Sequence, residues 1–585
     1  MCSTSPRRRV APTFTAPGKM AVRRLFSAFP QPSRALSANC VVRLFATLNV
    51  MNNTLSSGRN RESPAIRLES AVRTSPTISD RNCTSSPETG CGTMEFTELA
   101  DYPLPSGSLT EWIPTTGADG ACWSVDSRPL TYDHEDHYTR GLSGEPSDGQ
   151  SAWLGAAFEI HLRFDADAVR RTLRAWMLRH EAFRTTVTKT VDAQGSTCLT
   201  RLTSTGEVLD MAPHPVGHLG NGSRVRAHLI DLLDTQISPL TWPHCLVATV
   251  SDTDAPIAGN GFLVVFGADH SVMDAYSMLL AISEIQRLYA YELLGIDPAL
   301  SEIGSHVDFS ANDRVIGGGL TPEHHAVETW QQFLDAGGGQ FPRFGLPVKP
   351  EGINPHAGHQ QNGMSTWLLS TEQVAQVNAH CRELGHNMQS AVLASLALAH
   401  RELVGGTTLR FVMPMHTRHE SQYVESVGWY VGIIPVEVDV TAAETFGDCM
   451  NAGAEAVAAT KSFARFPYPR IAQLLGKRAV PQFVISYLDV RFVPGAAEWE
   501  RWRGRTLRSG TFSDDEVYLW IARTPIGMTV SARFPATEIA EAGVRRYVDA
   551  LGELLLGFAR AGDHPTAGRS LTSLTIPYSQ DKFPA

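Results

Sequence analysis

The segment from Phe262 to Ser277 constrains this chain more than any other. Phe262-Leu263-Val264-Val265-Phe266 is an unbroken apolar run of strand length and reads as a buried strand. The run breaks at Gly267 and delivers His270 just past the strand end. Asp274 follows four positions later, and Met278 to Leu293 carries apolar residues at helical spacing. An imidazole titrates near pH ~6.5 when unperturbed, so a histidine held at a strand end is well placed to take and return a proton. Taken alone, the same spacing also describes a hydrogen-bonded loop histidine followed by a helix-capping Asp274.

With 585 residues the chain can bury a large core and hold more than one domain or subdomain. A net charge of −10 argues against a general nucleic-acid role. No stretch approaches the ~18 apolar residues of a membrane span. Residues 1–93 are set apart: they carry 13 Lys/Arg against 4 Asp/Glu, are rich in Ser and Pro, and lack periodicity. They read as disordered. They mimic a transit peptide in composition, and a start of translation at Met51 or Met94 is the simpler expectation. The five cysteines beyond that tail, Cys122, Cys198, Cys245, Cys381 and Cys449, show no Cys-x-x-Cys spacing, so a zinc site or disulfide framework is not expected.

Residues 94–150 read as loop-rich, with short elements near Leu109-Trp112 and Cys122-Val125. Strands are expected at Ala156-Leu162, Phe183-Thr188 and Leu246-Val250, and a helix over Ala166-Leu178 with Asp165 as N-cap. Residues 304–363, with the runs Gly317-Gly318-Gly319 and Gly337-Gly338-Gly339, read as a loose connection holding a helix over Pro322-Leu334. Beyond it, helices are expected at Thr371-Leu384, Ser390-Leu403 and Thr537-Leu556. Strands are expected at Ser365-Leu369, Leu409-Pro414, Ile433-Val438, Gln482-Tyr487, Val517-Ile521 and Thr529-Phe534. The mixture describes an α+β, or mixed α/β, protein. His134-Glu135-Asp136-His137 lacks the spacing of a zinc helix, and with His356 and His359 reads as polar residues facing solvent rather than metal ligands. No Gly-x-Ser-x-Gly elbow is present, which lowers the odds of a serine esterase.

Several short segments recur in a telling order: Arg179-His180-Glu181-Ala182-Phe183-Arg184-Thr185, Asp269-His270-Ser271-Val272-Met273-Asp274-Ala275, Thr417-Arg418, Val427-Gly428-Trp429-Tyr430-Val431-Gly432-Ile433-Ile434-Pro435-Val436, and Arg465-Phe466-Pro467-Tyr468-Pro469-Arg470. Together they resemble the condensation-domain superfamily of nonribosomal peptide synthetases and its stand-alone acyltransferase relatives, from about Met94 onward. The resemblance is strongest to the polyketide-associated acyltransferases of mycobacteria and related actinobacteria, and Ser486-Tyr487-Leu488-Asp489 points the same way. Two positions depart from the usual His-His-x-x-x-Asp-Gly: Asp269 replaces the first histidine and Ala275 the glycine.

The resemblance implies two chloramphenicol-acetyltransferase-like subdomains, 94–303 and 364–585, forming a pseudo-dimer around a central tunnel and joined by 304–363. It implies His270 as general base, and Asp274 paired with Arg418 to hold the loop. Trp429 and Tyr430 are expected to line the core or tunnel, and Arg179, His180 and Arg184 to be structural packing. Asp269 either orients His270 or is a solvated loop acid, the second being favoured; a backbone N–H beside His270 is the candidate oxyanion donor. The implied reaction moves a long acyl group from acyl-CoA or an acyl carrier protein to a hydroxyl of a sugar such as trehalose. The thioester is substrate and no cofactor is expected. A cytoplasmic monomer is expected, with peripheral contact at the inner membrane face. The alternatives are a stand-alone amide-forming condensation enzyme and a non-catalytic carrier-binding domain.

Overall fold

Two large sheets organise the chain in a computed structural model that describes residues 96–566, apart from 117–121, 144–152, 192–196, 351–359, 478–479 and 511–512. The readings of residues 1–93, and of His356 and His359, fall outside the described residues. The first sheet has seven strands in the order Phe96–Glu98, Arg505–Arg508, Trp153–Ile160, Phe262–Asp269, Cys245–Ser251, Gly107–Thr115 and Asp210–Leu219. The second has six: Gln361–Ser370, Gly527–Pro535, Val517–Thr524, Phe483–Asp489, Thr408–His416 and Val431–Asp439. A small sheet pairs Trp123–Asp126, Thr197–Ser204 and Thr185–Val191.

The unbroken apolar run has a direct explanation. Successive side chains of a strand point to opposite faces, and here both faces are covered. Phe262, Val264, Phe266 and Ala268 pack with helices Ala166–Arg179 and Ala275–Leu294. Leu263 and Val265 pack with Leu229, Leu232 and Leu233 of helix Gly222–Gln236 on the other side. The strand does not break at Gly267 but continues to Asp269, so His270 leaves the sheet from its centre. Asp165 caps its helix as expected, its Oδ1 accepting from Ala168 N at 3.0 Å. In the second half, Met388–Val404 is buried nearly all round between Phe446–Thr460, Glu538–Ala561 and the sheet.

Three further sequence expectations change. Residues 94–150 include a nine-residue strand, Gly107–Thr115, and a helix, Tyr132–Ser143. The region 304–363 is not loose: it folds into helices His306–Gly318 and His325–Asp335. Gly317 lies within the first of these because a Cβ there would stand 2.3 Å from the Tyr132 ring, so close packing rather than a turn requires the glycine. The division near residue 364 also fails to separate the two sheets. Arg505–Arg508, far along the chain, inserts between Phe96–Glu98 and Trp153–Ile160, with Arg508 Nη1 paired to Glu98 Oε1 at 2.8 Å. Among the described residues, no helix is long and apolar enough to cross a membrane.

Because that inserted strand covers the edge of Trp153–Ile160, the halves cannot be cut apart cleanly. A fragment ending at residue 363 is expected to be insoluble or aggregated on expression. Sedimentation of the fragment beside the full chain tests this, and a monomeric, cooperatively melting fragment would overturn it.

Candidate active site

His270 sits where the central strand Phe262–Asp269 hands over to helix Ala275–Leu294. Its pKa is lowered from the usual value to about 4, so the ring is neutral at neutral pH. Burial is the largest cause and neighbouring His137 adds to it; the residue's own backbone, Asp274 and Asp269 oppose. Nδ1 is buried and makes no well-formed hydrogen bond among the described residues. The ring lies against Trp429, with centroids 4.0 Å apart. A neutral imidazole with a free lone pair is the form a general base needs.

Asp274 is both the cap of the helix and half of a buried ion pair. Its Oδ1 accepts from Ser277 N at 2.8 Å and Arg418 Nη2 at 3.0 Å; its Oδ2 accepts from Arg418 Nη1 at 2.7 Å and Tyr430 N at 2.9 Å. Both side chains are almost fully enclosed, at 0% and 3% exposure. Burial pushes the Asp274 pKa up, but Arg418 and the backbone donors outweigh it and hold the carboxyl below its usual range. Arg418 also bonds Ser277 Oγ and lies over the Tyr430 ring at 4.4 Å. Tyr430 is therefore fully buried support, while Trp429 reaches the cavity.

Asp269 is not a solvated acid. It is 1% exposed, both its oxygens lie 3.1 Å from His137 Nε2, and Oδ1 accepts from Ser271 N at 2.8 Å. Burial raises its pKa, but His137, followed by His244 and Ser271, more than offsets this and holds it below the usual carboxylate value. The carboxylate thereby occupies the Ser271 N–H, and the Val272 N–H donates to the Asp269 carbonyl at 3.1 Å. Those two amides beside His270 are committed and do not serve as free oxyanion donors.

His137 was missed by the sequence reading, which placed His134 and His137 together on the surface. On helix Tyr132–Ser143 they part: His134 is buried and its basicity suppressed by burial, while His137 turns to Asp269 and edges the Trp429 ring at 5.6 Å. The available signal was Asp133 and His137, one helical turn apart and so on one face.

Arg179 and His180 are structural. Both bind Glu284, at 2.8 Å and 2.6 Å, joining the two helices that cover the sheet. His180 Nδ1 accepts from Val427 N at 3.2 Å, which leaves Nε2 as the donor to Glu284. Arg184 donates to the Ser204 carbonyl. Helix His306–Gly318 closes the far side. His306 Nε2 bonds the Trp429 carbonyl at 2.9 Å, and a Cβ on Gly428 would meet the His306 ring at 2.5 Å. Beyond Trp429 opens a cavity of about 390 Å³, lined from the first half by Asp133, from helix His306–Gly318 by Asp313, and from the second half by Thr417, Lys461 and Arg465. Among the described residues, no group of three or more His, Cys, Asp or Glu side chains could hold a metal ion.

The Condensation domain family model matches residues 255–491, a span containing His270, Asp274, Arg418 and Trp429. Over that span the chain is similar to condensation domains. The chain is 25% identical over 484 residues to acyltransferase PapA3 of Mycobacterium tuberculosis, covering 79% of this chain and 98% of that one. It is 24% identical over 490 residues to the 2'-acyl-2-O-sulfo-trehalose (hydroxy)phthioceranyltransferase PapA1 of the same organism, covering 82% and 91%. The solved structure of PapA2 acyl transferase superposes with a TM-score of 0.70 at 22% identity, covering 80% of this chain and 100% of that one.

Two outcomes follow from this geometry. Asp274→Ala leaves the Arg418 guanidinium buried without its partner, and should cost about 3–5 kcal/mol in denaturant unfolding. A loss below about 1 kcal/mol would show that water reaches Arg418. Because the folded pKa of His270 is depressed to about 4, its ring is neutral at neutral pH and is protonated only as pH falls through that value. kcat/KM should therefore be flat from about pH 8 down to about pH 5.5; an inflection near the ordinary value of ~6.5 would mean a solvated imidazole.

Proposed function

We propose that this acyltransferase moves a long fatty or polyketide acyl group from a thioester to a hydroxyl of a sugar such as trehalose, in the synthesis of a cell-envelope glycolipid. The observation that carries the reading is the neutral His270 packed against Trp429, a residue that lines the cavity. The likeness to PapA3 and PapA1 over about four-fifths of the chain supports the substrate class.

The chemistry is balanced without a covalent enzyme intermediate. His270 takes the acceptor hydroxyl proton as that oxygen attacks the thioester carbonyl. The tetrahedral intermediate then collapses, breaking the C–S bond, and the imidazolium returns the proton to the departing thiolate. Products are the ester and the free thiol. Holding both substrates beside one base supplies the proximity that the uncatalysed reaction lacks. The thioester, on CoA or on a carrier protein's phosphopantetheine, is a substrate, so the proposed reaction requires no resident cofactor. A monomer acting at the cytoplasmic face of the membrane suits an enzyme whose product is a lipid.

The test incubates wild type and His270→Ala with long-chain acyl-CoA or acyl carrier protein and a panel of sugar and amine acceptors, followed by mass spectrometry. Ester from wild type, reduced about 10²–10⁴-fold in the variant, is expected. Equal ester from both proteins, or amide as the sole product, would overturn the reading.

A further inference from the structure

The cavity beyond Trp429 has a composition the proposed chemistry has not yet used. Helix Tyr132–Ser143 and helix His306–Gly318 turn Asp133 and Asp313 into it, with Thr131, Asn312 and Thr417 beside them and the Trp429 ring as an aromatic wall. Its volume, about 390 Å³, lies within the range of small-molecule sites.

Both carboxyls keep hydrogen-bonding capacity at the cavity wall. Asp313 is 8% exposed and accepts from Tyr132 N at 2.9 Å through Oδ2; its Oδ1 has no partner among the described residues. Asp133 has no hydrogen-bond or ion-pair partner in another residue among the described residues. These two line a cavity.

We propose that this cavity is the acceptor subsite for a polyhydroxy molecule, whose hydroxyls bond Asp133 and Asp313 while a sugar face lies on Trp429. The inference rests on the sugar-hydroxyl reading above and assigns that acceptor its place. Three observations carry it. First, an acyl tail is a poor occupant, because it would strip water from two carboxyl groups and return no hydrogen bond. Second, burial raises both acids, Asp313 to about 6, and Asp313 adds repulsion at Asp133, so each holds its proton to a higher pH than a solvated carboxyl does. Such a pair both donates and accepts, as hydroxyl groups do. Third, Asp133 lies one turn before His137 on the same helix face, and His137 contacts Asp269 and Trp429 beside His270. The wall that grips the acceptor therefore leads directly to the base.

The experiment compares wild type, Asp133→Asn and Asp313→Asn as full chains, each first shown to melt like wild type. Steady-state rates are measured with one acyl-CoA and two acceptors, trehalose and a primary alkanol. Either substitution should raise the KM for trehalose about 10–100-fold while changing alkanol acylation less than about threefold. Titration calorimetry of trehalose into His270→Ala, with and without Asp133→Asn, gives the same comparison without turnover. Trehalose acylation and binding untouched by both substitutions would overturn the subsite alone, as would equal losses on both acceptors. Alkanol turnover with no activity on any sugar would overturn the sugar reading, and the subsite with it.

Discussion

The Asp274–Arg418 pair is the interaction on which the site depends. It joins the first turn of a helix in the first half to the 417–430 segment of the second, with both partners buried. Removing two charges from water is costly, and attraction between them alone seldom compensates. Here further bonds add to that attraction: Ser277 and Tyr430 amides bind the carboxylate, and Ser277 Oγ with the Ser426 carbonyl binds the guanidinium. The pair therefore specifies a single docking geometry. A shift of either half breaks several bonds at once, and His270, four residues before Asp274, is fixed by the same constraint.

The departure at Asp269 has a structural answer. The position usually held by a histidine carries an acid, and a histidine from a different element, His137, comes to meet it. The imidazole–carboxylate contact draws helix Tyr132–Ser143 against the His270 loop, while Trp429 touches both imidazoles. The carboxylate also fastens the loop from within by taking the Ser271 amide. Asp269 is thus part of the loop's scaffold, which a solvated acid could not be.

Much of this was legible in one dimension because its causes are local. Apolar runs located the central strand, and helical spacing and caps located most helices within a few residues. The segments around His270, Arg418 and Trp429 lie in the order the superfamily resemblance implied. What escaped depended on remote neighbours. Helix Tyr132–Ser143 is polar over most of its surface, with His134 and Tyr138 as its buried contacts, so it offered a weak periodic signal. Helix His306–Gly318 ends in glycines that look like a turn until Tyr132 is placed against them. Nothing in the short segment Arg505–Arg508 announces that it completes the other half's sheet.

By itself the sequence determined that a buried strand would present His270 at its end, with Asp274 opening the next helix, since both follow from short-range spacing. Only the tertiary structure decided which charges meet. Arg418 lies 144 positions from Asp274, His137 lies 132 from Asp269, and Asp133 shares a cavity with Asp313. The physical reason is that desolvation and pairing belong to the packed site, not to the residue. The same aspartate is solvated or buried, partnered or free, according to what distant segments bring against it.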